Sequence, residues 1–555
     1  MKCIRLLFFL LTLCSSLYAQ PKHEVRAVWL TTIGGIDWPH SYAQSARSIE
    51  RQKEELRQTL NRLQQAGINT VLLQTRIRGT VIYPSAYEPW DGCLSGHPGR
   101  TPGYDALAFA IEECHRRGME LHAWVVTIPV GKWNAKGCAD LRKRQPGLIK
   151  KIGADGYMDP EKPQTAKYLT DICGEIVDNY DVDGIHLDYI RYPETWTLKV
   201  SRQRGRDYIT GIVESISRRV KSAKPWVKMS CSPIGKHDDL TRYWSHGWNA
   251  YTTVCQDAQG WLKSGLMDEL FPMMYFRGNN FYPFALDWAE ESAGRIVAPG
   301  LGIYFMSPRE KNWPLDDITR EMEVLRANGM GQAFFRSKFF TDDTKGIYRF
   351  SKDRFYQYPA LVPPMTWEGK RKVKSPKNLV MKHSGKSTTM ISWSHTDNKG
   401  DGMLYFNVYA SRECPVDVSD ARNLILPRTP LTAITVPRDA SRHYAITAMD
   451  RYGNESAPLQ EYGVDNKNGN NFASAKASEF LPCDGRLLSL PDKGSTLDAD
   501  YVTIETLQGT VVTVRPYNNA TLDVSRLNNG IYILRSLGRK GRTHRLGFFM
   551  IKNGI

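Results

Sequence analysis

Apolar runs of strand length alternate with helical patterns eight times between Glu24 and about Leu361, and this alternation restricts the possible fold more than any other feature. The predicted strands are Val25–Thr31, Asn69–Thr75, Met119–Val126, Ile185–Asp188, Val227–Ser232, Glu269–Tyr275, Arg295–Ile303 and Gln332–Arg336. The predicted helices include Tyr104–Arg117, Pro163–Tyr180, Arg202–Ala223, Thr252–Ser264, Phe284–Ala293 and Leu315–Asn328, with a closing helix near Ser351–Tyr356. Eight such units predict an α/β fold, a (β/α)8 TIM barrel over residues 20–365, rather than an open doubly wound sheet.

Two small all-β sandwich domains are predicted after the barrel. Residues 374–462 contain the short β-type runs Thr389–Ser394, Met403–Ala410, Thr432–Val436 and His443–Met449, and they close on Asp450-Arg-Tyr-Gly-Asn-Glu-Ser456. This pattern resembles a fibronectin type III domain. Residues 463–480 are polar and Asn-rich, which is typical of a linker.

The C-terminal segment 481–555 is β-patterned again. Its stretch Leu522-Asp-Val-Ser-Arg-Leu-Asn-Asn-Gly-Ile-Tyr-Ile-Leu534 resembles the C-terminal sorting domains of type IX secretion in Bacteroidetes. That resemblance implies display at the cell surface. The alternative is a sandwich that only packs on its neighbour.

Residues 1–19 have the pattern of a secretory signal peptide. Lys2 and Arg5 precede the apolar run Leu6–Leu13, and Leu17-Tyr-Ala19 fits a cleavage site. No later segment approaches the ~20 apolar residues of a transmembrane helix. We therefore expect an exported protein in the periplasm, on the outer-membrane surface or outside the cell. Cys14 leaves a lipid anchor open as an alternative.

The charge balance is basic, with a formal net charge of +16 at pH 7. Such a charge favours an anionic partner such as cell wall, acidic polysaccharide or the cell envelope, or it serves solubility alone. The Lys and Arg residues are spread along the chain without a dense basic run, so nucleic acid is not expected as a partner. The cysteines show no CxxC spacing, and neither a zinc module nor another cofactor is expected.

The stretch Asp181–Glu194 contains the main catalytic candidate. Side chains alternate along a strand, so His186 and Asp188 share one face of the run Ile185–Asp188. Chemistry in a parallel barrel gathers where the strands end. Asp188 stands at such an end and is predicted to be a reactive carboxylate, the alternative being a cap for the next segment.

Other strand ends and inward positions supply residues suited to a sugar. Arginines hold anions or hydroxyls, and flat aromatic rings stack on sugar faces. Twelve of the fourteen Trp residues fall in the predicted barrel, which favours a saccharide ligand. The predicted substrate-binding residues are Arg76, His122, Trp124, His186, Tyr189, Arg191, Tyr275 and Tyr304.

Several motifs in the barrel segment together resemble one family. These are Val25-Arg-Ala-Val-Trp-Leu-Thr31, Leu73-Gln-Thr-Arg76, His122-Ala-Trp124, Met158-Asp-Pro160 and the Asp181–Glu194 stretch. In this order they resemble the glycosyl hydrolase-like family 10 proteins, which are exported bacterial barrel proteins. The resemblance implies hydrolysis of glycosidic bonds, with bacterial cell-wall glycan (peptidoglycan) as a substrate class, and it implies that Asp188 is the active-site carboxylate. The chain departs from many members at Thr80 and Tyr189, where they carry acids.

Glycoside hydrolysis normally needs a second carboxylate as proton donor. Asp257, at the start of the helix before the sixth strand, and Glu194, in the loop after Asp188, are the two candidates. Two other functions stay open at this point. His122, His186 and Asp188 could hold a metal, which would indicate a polysaccharide deacetylase. A barrel without its second acid would instead be a non-catalytic surface glycan-binding protein.

Overall fold

The structure is a computed structural model of the chain. It describes residues 20–243, 247–369, 372–384, 387–396, 404–460, 481, 483, 486–491, 499–506, 511–517, 520–528, 530–538 and 543–551. The predicted signal peptide and linker lie outside these residues. The chain forms two compact units, residues 1–463 and 464–555.

The first unit has a mixed α/β fold built on a curled sheet of ten parallel strands. Their order across the sheet is Met273–Met274, Gly300–Leu301, Gln332–Phe334, Arg26–Leu30, Thr70–Arg76, Glu120–Val126, Gly184–Asp188, Lys228–Cys231, Glu269–Leu270 and Ile296–Val297. The first strand of the chain therefore pairs with both the second strand and the last one, with Ala27 opposite Thr70 and Ala333.

Two of the eight predicted strands are each divided in two. The predicted strand Glu269–Tyr275 is interrupted at Phe271-Pro272, and the predicted strand Arg295–Ile303 is interrupted at Ala298-Pro299. A proline lacks the N–H that a ladder hydrogen bond requires, so regular pairing stops at each of these positions. The prediction of eight uninterrupted strands was wrong in this respect.

Helices follow most of the strands. The longer ones are Ala46–Gln65, Ala106–Arg116, Pro163–Asn179, Arg202–Ala223, Ala258–Lys263, Tyr282–Glu290 and Leu315–Ala327. The predicted helix Thr252–Ser264 begins only at Ala258, because Asp257 caps it. The predicted closing helix is a short turn, Ile347–Phe350, that continues as a π-helical segment, Ser351–Phe355.

An insertion after the strand Glu120–Val126 was not predicted. It contains three short antiparallel strands, Pro129–Lys132, Ile149–Ile152 and Asp155–Met158, and the helix Lys136–Arg144. Each strand has only four residues, and Lys150 and Lys151 are exposed, so no clear alternation of apolar and polar residues marks them.

Two layers of buried side chains flank the parallel sheet. Trp29, Trp124 and Phe271 belong to one cluster, whereas Ile185 and Leu187 belong to the larger cluster that also contains the helix residues. Alternation along each strand separates the two layers. His186 and Asp188 therefore point to the same side of the sheet as Trp124, away from the helices.

Residues 377–460 of the same unit form two antiparallel sheets. One contains Lys377–Ser384, Thr388–Ser394 and Ala433–Pro437, and the other contains Leu424–Thr429, Tyr405–Ser411, His443–Met449 and Leu459–Gln460. The fibronectin type III assignment stays a prediction. Arg428 pairs with Asp183, and Arg451 pairs with Asp181 at 2.6 Å, which attaches these sheets to the residues just before the strand Gly184–Asp188.

The second unit is also built from antiparallel strands. Its larger sheet contains Val511–Pro516, Ala499–Thr506, Gly530–Gly538 and Thr543–Ile551, and Leu487–Ser489 pairs with Thr521–Asp523. Val502, Leu534 and Phe549 lie in its core. Its role as a sorting domain stays a prediction. In the part of the chain that the structure describes, no helix is both long and apolar enough to cross a membrane.

Candidate active site

Asp188 ends the strand Gly184–Asp188 with a buried carboxylate that three donors surround. The indole Nε1 of Trp124 donates to Oδ2 over 3.1 Å. The hydroxyl of Ser232 and the backbone N–H of Tyr189 donate to Oδ1 over 2.9 Å and 2.8 Å. Both carboxylate oxygens are therefore fixed in direction.

The neighbouring strands explain why these donors meet. Trp124 lies on the adjacent strand opposite His186, and Ser232 follows the strand on the other side, where Cys231 is opposite Leu187. Parallel strands bring their carboxyl ends to one edge, so residues at or just past those ends converge. Thr127, just past the end of the Trp124 strand, holds the backbone carbonyl of Asp188 through its N–H at 2.9 Å and its hydroxyl at 2.8 Å.

Burial raises the pKa of Asp188 above its ordinary value, while Ser232, Arg191, the Tyr189 N–H and Trp124 act against that rise. An indole and a backbone amide can only donate, so each oxygen faces at least one obligate donor. These donors stabilise the ionised form of a buried carboxylate. The arrangement suits a carboxylate that attacks or takes a proton.

The turn after Asp188 presents a ring and a guanidinium. Tyr189 adopts a positive φ of 52° and is partly exposed, and the Arg191 guanidinium lies 4.6 Å from the centroid of its ring. Arg191 is buried and donates from Nη2 to Glu194 at 2.6 Å and from Nη1 to the Tyr192 carbonyl at 3.2 Å. Its Nε has no partner among the described residues. The exposed Trp248 lies 6.0 Å from the same guanidinium.

Glu194 is poorly suited to donate a proton. Burial raises its pKa, but the hydrogen bond and charge of Arg191 outweigh that effect and leave the pKa below its ordinary value. A general acid needs the opposite shift. The geometry assigns Glu194 to the orientation of Arg191.

Asp257 is the N-cap of the helix Ala258–Lys263. Its Oδ1 accepts from the Gly260 N–H at 3.0 Å and lies 3.9 Å from Nε2 of His237. The carboxylate is one-third exposed. The preceding Gln256 donates to the Ile190 carbonyl at 3.3 Å, so Asp257 starts its helix beside the turn that follows Asp188.

Two predicted substrate-binding tyrosines lie in an aromatic cluster. The Tyr275 ring is 5.7 Å from that of Tyr304 and 5.5 Å from that of Phe335. Burial raises the pKa of Tyr275 strongly, with contributions from Tyr304, Asp188 and Tyr189, and burial raises the pKa of Tyr304 to about 12. Both hydroxyls therefore remain protonated donors at neutral pH, and that of Tyr275 interacts electrostatically with Asp188.

Arg76 lies inside the protein, and its role as a substrate-binding residue stays a prediction. It is fully buried and donates to Glu88 from Nε at 3.0 Å and 2.9 Å and from Nη2 at 2.7 Å. Its Nη1 donates to the carbonyls of Val126 and of Thr127, the latter at 2.9 Å. Arg76 thus fixes the segment from which Thr127 holds Asp188.

His122 and His186 are also fully buried, and their roles as substrate-binding residues stay predictions. Trp29 Nε1 donates to Nε2 of His186 over 3.3 Å, which leaves Nδ1 to donate to Ser230 at 3.1 Å. Burial holds the pKa of His186 well below its ordinary value, so the ring is neutral. His122 contacts Glu120 at 3.3 Å. Among the described residues, no three His, Cys, Asp or Glu side chains are placed to hold a metal ion.

Ser232, Thr127, Trp248 and Phe335 were not predicted as site residues. Ser232 and Thr127 share one signal, since Ser232 is a hydroxyl residue at the end of a predicted strand and Thr127 is one immediately after a predicted strand. Phe335 directly follows the strand Gln332–Phe334, so the position of that strand end was its signal. Trp248 carries no signal of this kind, because it lies in a loop far from any strand end.

Comparisons with known proteins relate the chain to named hydrolases. The model of the family described as Glycosyl hydrolase-like 10 matches residues 24–305. The chain is 27% identical over 485 residues to Glycosyl hydrolase YngK of Bacillus subtilis (strain 168), covering 79% of this chain and 93% of that protein. It is 29% identical over 293 residues to Glycosyl hydrolase DigH of Escherichia coli (strain K12), covering 46% of this chain and 66% of that protein. The solved glycoside hydrolase domain of PgaB (BpsB) from Bordetella bronchiseptica matches 59% of this chain and 98% of its own, with 14% identity and a TM-score of 0.40.

Proposed function

The chain belongs to the Glycosyl hydrolase-like 10 family, and on that premise we propose that it hydrolyses O-glycosidic bonds in a polysaccharide. The observation that carries the proposal is the Asp188 carboxylate, buried at a strand end and held by Trp124, Ser232 and the Tyr189 N–H. A directed carboxylate of this kind is the central group of glycoside hydrolysis.

The proposed framework is a (β/α)8 barrel. The strands at the two ends of the sheet order are fragments of the same chain segments, since two residues separate Glu269–Leu270 from Met273–Met274 and two separate Ile296–Val297 from Gly300–Leu301. Pairing from fragment to fragment thus supports closure of the sheet. Asp188 then stands at the carboxyl-end face, where barrel enzymes place their chemistry.

In the proposed reaction Asp188 acts as nucleophile or general base. Burial raises the pKa of Asp188, and the donors to its oxygens act against that rise by favouring the charged form that this role requires. We assign the proton donor to Asp257, because the charge and hydrogen bond of Arg191 lower the pKa of Glu194. The donor protonates the leaving oxygen as the bond to the sugar carbon breaks, and a water molecule supplies the new hydroxyl.

The sugar is proposed to lie against the partly exposed Tyr189 and Trp248 on one side and the Tyr275–Tyr304 cluster on the other. Rings of this kind offer apolar faces to sugars, and their hydroxyls supply donors. Arg191, with an Nε that has no partner in the described chain, can donate to a substrate oxygen.

We propose bacterial cell-wall glycan as the substrate class and export to the cell envelope or beyond as the location. The N-terminal signal pattern and the sorting-like C-terminal segment support this location, and the basic net charge of +16 supports an anionic envelope partner.

A second candidate function is glycan binding without hydrolysis. It is favoured by one observation: among the described residues, no second carboxylate forms a hydrogen bond with Asp188 or with its three donors. The deacetylase alternative is weaker, because both rings it requires as ligands are buried and hydrogen-bonded.

The deciding experiment is product release from purified glycans, led by peptidoglycan with and without its stem peptides, in the presence and absence of EDTA. New reducing ends that persist in EDTA are the expected result. Binding without any product would favour the glycan-binding protein, and acetate release that EDTA abolishes would favour the deacetylase.

A further inference from the structure

The insertion of residues 129–159, named the basic insertion here, concentrates positive charge. It contains seven Lys and Arg side chains against three Asp, a net charge of +4 in 31 residues. The exposed cations are Lys132, Lys136, Lys143, Arg144, Lys150 and Lys151.

The ion pairs of the basic insertion leave several of these charges uncompensated. Lys132 pairs with Asp155 at 3.0 Å, Lys136 with Asp140 at 2.9 Å, and Lys150 with Asp159 at 3.3 Å. Within the described residues, Lys143, Arg144 and Lys151 form no ion pair. Like charges held together raise the local potential and attract a polyanion.

The Trp133 ring packs against two cations of the basic insertion. Arg142 lies 3.8 Å from the centroid of its ring, and Lys151 lies 5.6 Å from it. Arg142 also donates to the Trp133 carbonyl at 2.9 Å. The indole thus supports the cations instead of projecting into solvent. Leu141 and Leu148 are buried, and Ile149, Ile152 and Tyr157 are partly buried. A surface of this kind lacks the exposed apolar residues with which a protein enters a bilayer.

The basic insertion borders the loops of the candidate active site. Lys150 lies 4.4 Å from the ring centroid of Trp196, and Trp196 packs on Tyr192 at 5.6 Å, in the segment that follows Asp188. On its other side Gly131 approaches Arg78 so closely that an added Cβ would lie 3.1 Å from the Arg78 Cβ. The insertion therefore sits between loops that follow two strand ends of the site.

We propose that the basic insertion is a separate binding surface for an acidic polysaccharide, one that carries carboxylates along its length. A strand that leaves the Asp188 site over the Tyr192–Trp196 loop meets Lys150 first and then the unpaired cations. This surface holds polymer whether or not Asp188 cleaves it, so its test is a binding measurement that does not depend on hydrolysis. Nucleic acid is disfavoured because the Trp133 ring is covered and no exposed ring stands among the cations for base stacking.

The test compares two triple variants of the full mature chain. Lys143→Gln, Arg144→Gln and Lys151→Gln remove three charges from the basic insertion. Arg218→Gln, Lys352→Gln and Arg354→Gln remove three exposed charges that likewise form no ion pair among the described residues, from other parts of the first unit. Both variants have the same net charge, and both sets of residues are exposed, so both should fold.

The probes are polygalacturonate and its neutral methyl ester, measured by equilibrium binding at low salt. We expect the insertion variant to bind polygalacturonate about tenfold more weakly and the control variant to change less than about twofold. The methyl ester should bind neither protein measurably. Equal losses in both variants would assign the binding to net charge and overturn the proposal. Tighter binding of duplex DNA or of anionic lipid vesicles than of polygalacturonate would also overturn it.

Discussion

The indole of Trp124 and the carboxylate of Asp188 are joined by a hydrogen bond of 3.1 Å from Nε1 to Oδ2. The two residues stand on adjacent parallel strands, and Val126, two residues after Trp124, is the register partner of Asp188. This bond fixes one carboxylate oxygen and leaves the other to Ser232 and the Tyr189 N–H. The orientation of the Asp188 carboxylate is therefore set by its neighbours across the sheet and by the turn that follows it.

Replacement of Asp188 by Asn should abolish hydrolysis while the fold is retained. The amide has the same shape, but it can neither attack the sugar carbon nor take a proton, so we expect a loss of at least about 100-fold. Reducing-end release from the active glycan measures the loss, and thermal unfolding checks the fold. Near wild-type activity in a folded Asp188→Asn protein would reject the assignment.

Trp124→Phe should move the acidic limb of the pH–rate profile to higher pH. The indole hydrogen bond favours the ionised carboxylate, so its loss raises the pKa of Asp188 further and the active ionised form appears only at higher pH. Ser232→Ala should shift the limb in the same direction. A uniform drop in kcat/KM with an unmoved limb in both variants would contradict this role for the two donors.

Asp257→Asn and Glu194→Gln should change different kinetic parameters. If Asp257 donates the proton, its Asn variant loses about 100-fold or more on natural glycans but keeps activity on substrates with acidic leaving groups, which need no protonation. Asn remains a good helix cap, so stability should change little. Glu194→Gln frees Arg191 and should raise KM more than it lowers kcat. The reverse pattern would transfer the donor role to Glu194.

Glu88→Gln should destabilise the first unit strongly. Glu88 and Arg76 are both buried and joined by a bidentate ion pair, so loss of the carboxylate leaves a buried guanidinium without a counter-charge. We expect a loss of about 3 kcal/mol in the free energy of unfolding, measured with urea. The matched control is Glu112→Gln, which breaks an exposed pair with Arg116 and should have no measurable effect.

Glu321→Gln should stabilise the protein at neutral and alkaline pH. The side chain is buried in the helix Leu315–Ala327, its Oε2 has no partner in the described chain, and burial raises its pKa to about 9 from an ordinary value of 4.5. The folded state therefore keeps a proton that the unfolded state releases above pH 4.5. The contribution of this group to the free energy of unfolding is complete below pH 4.5 and is lost as the pH rises towards 9. Glutamine removes this dependence and should add ~1–3 kcal/mol at pH 8. Parallel stability–pH curves for the two proteins would show that Glu321 does not titrate.

Local patterns along the chain were sufficient to predict most elements of the first unit. The helix Arg202–Ala223 has the predicted bounds, because its apolar positions repeat at helical spacing and Ser201 caps its start. The strand around Ile185 was predictable because a short apolar run with alternating faces leads to Asp188. The divisions at Pro272 and Pro299 were not predicted, although a proline inside an apolar run is a local signal. The insertion Pro129–Met158 was missed because its strands are short and partly exposed.

The position of Asp188 at a strand end was predictable, but the roles of its partners were not. Arg76, His122 and His186 have the residue types of a binding site, and the structure uses all three inside the protein. An arginine at a strand end can face a ligand or a buried glutamate, depending on which residues of the following loop fold back onto it. Here the loop folds back so that Glu88 contacts Arg76. The sequence contains no signal that predicts the contact between Glu88 and Arg76.

The amino-acid sequence by itself determined the alternation of strands and helices, the placement of Asp188 where a strand ends, and the presence of aromatic residues beyond other strand ends. These features depend on short-range periodicity, which any segment carries with it. The tertiary structure was needed to show that Trp124 and Ser232 hold Asp188, that Glu88 folds back onto Arg76, and that the cations of the basic insertion lie beside the site loops. Those relationships join residues that are distant in the chain, and they exist only because parallel strand ends meet at one edge of the curled sheet.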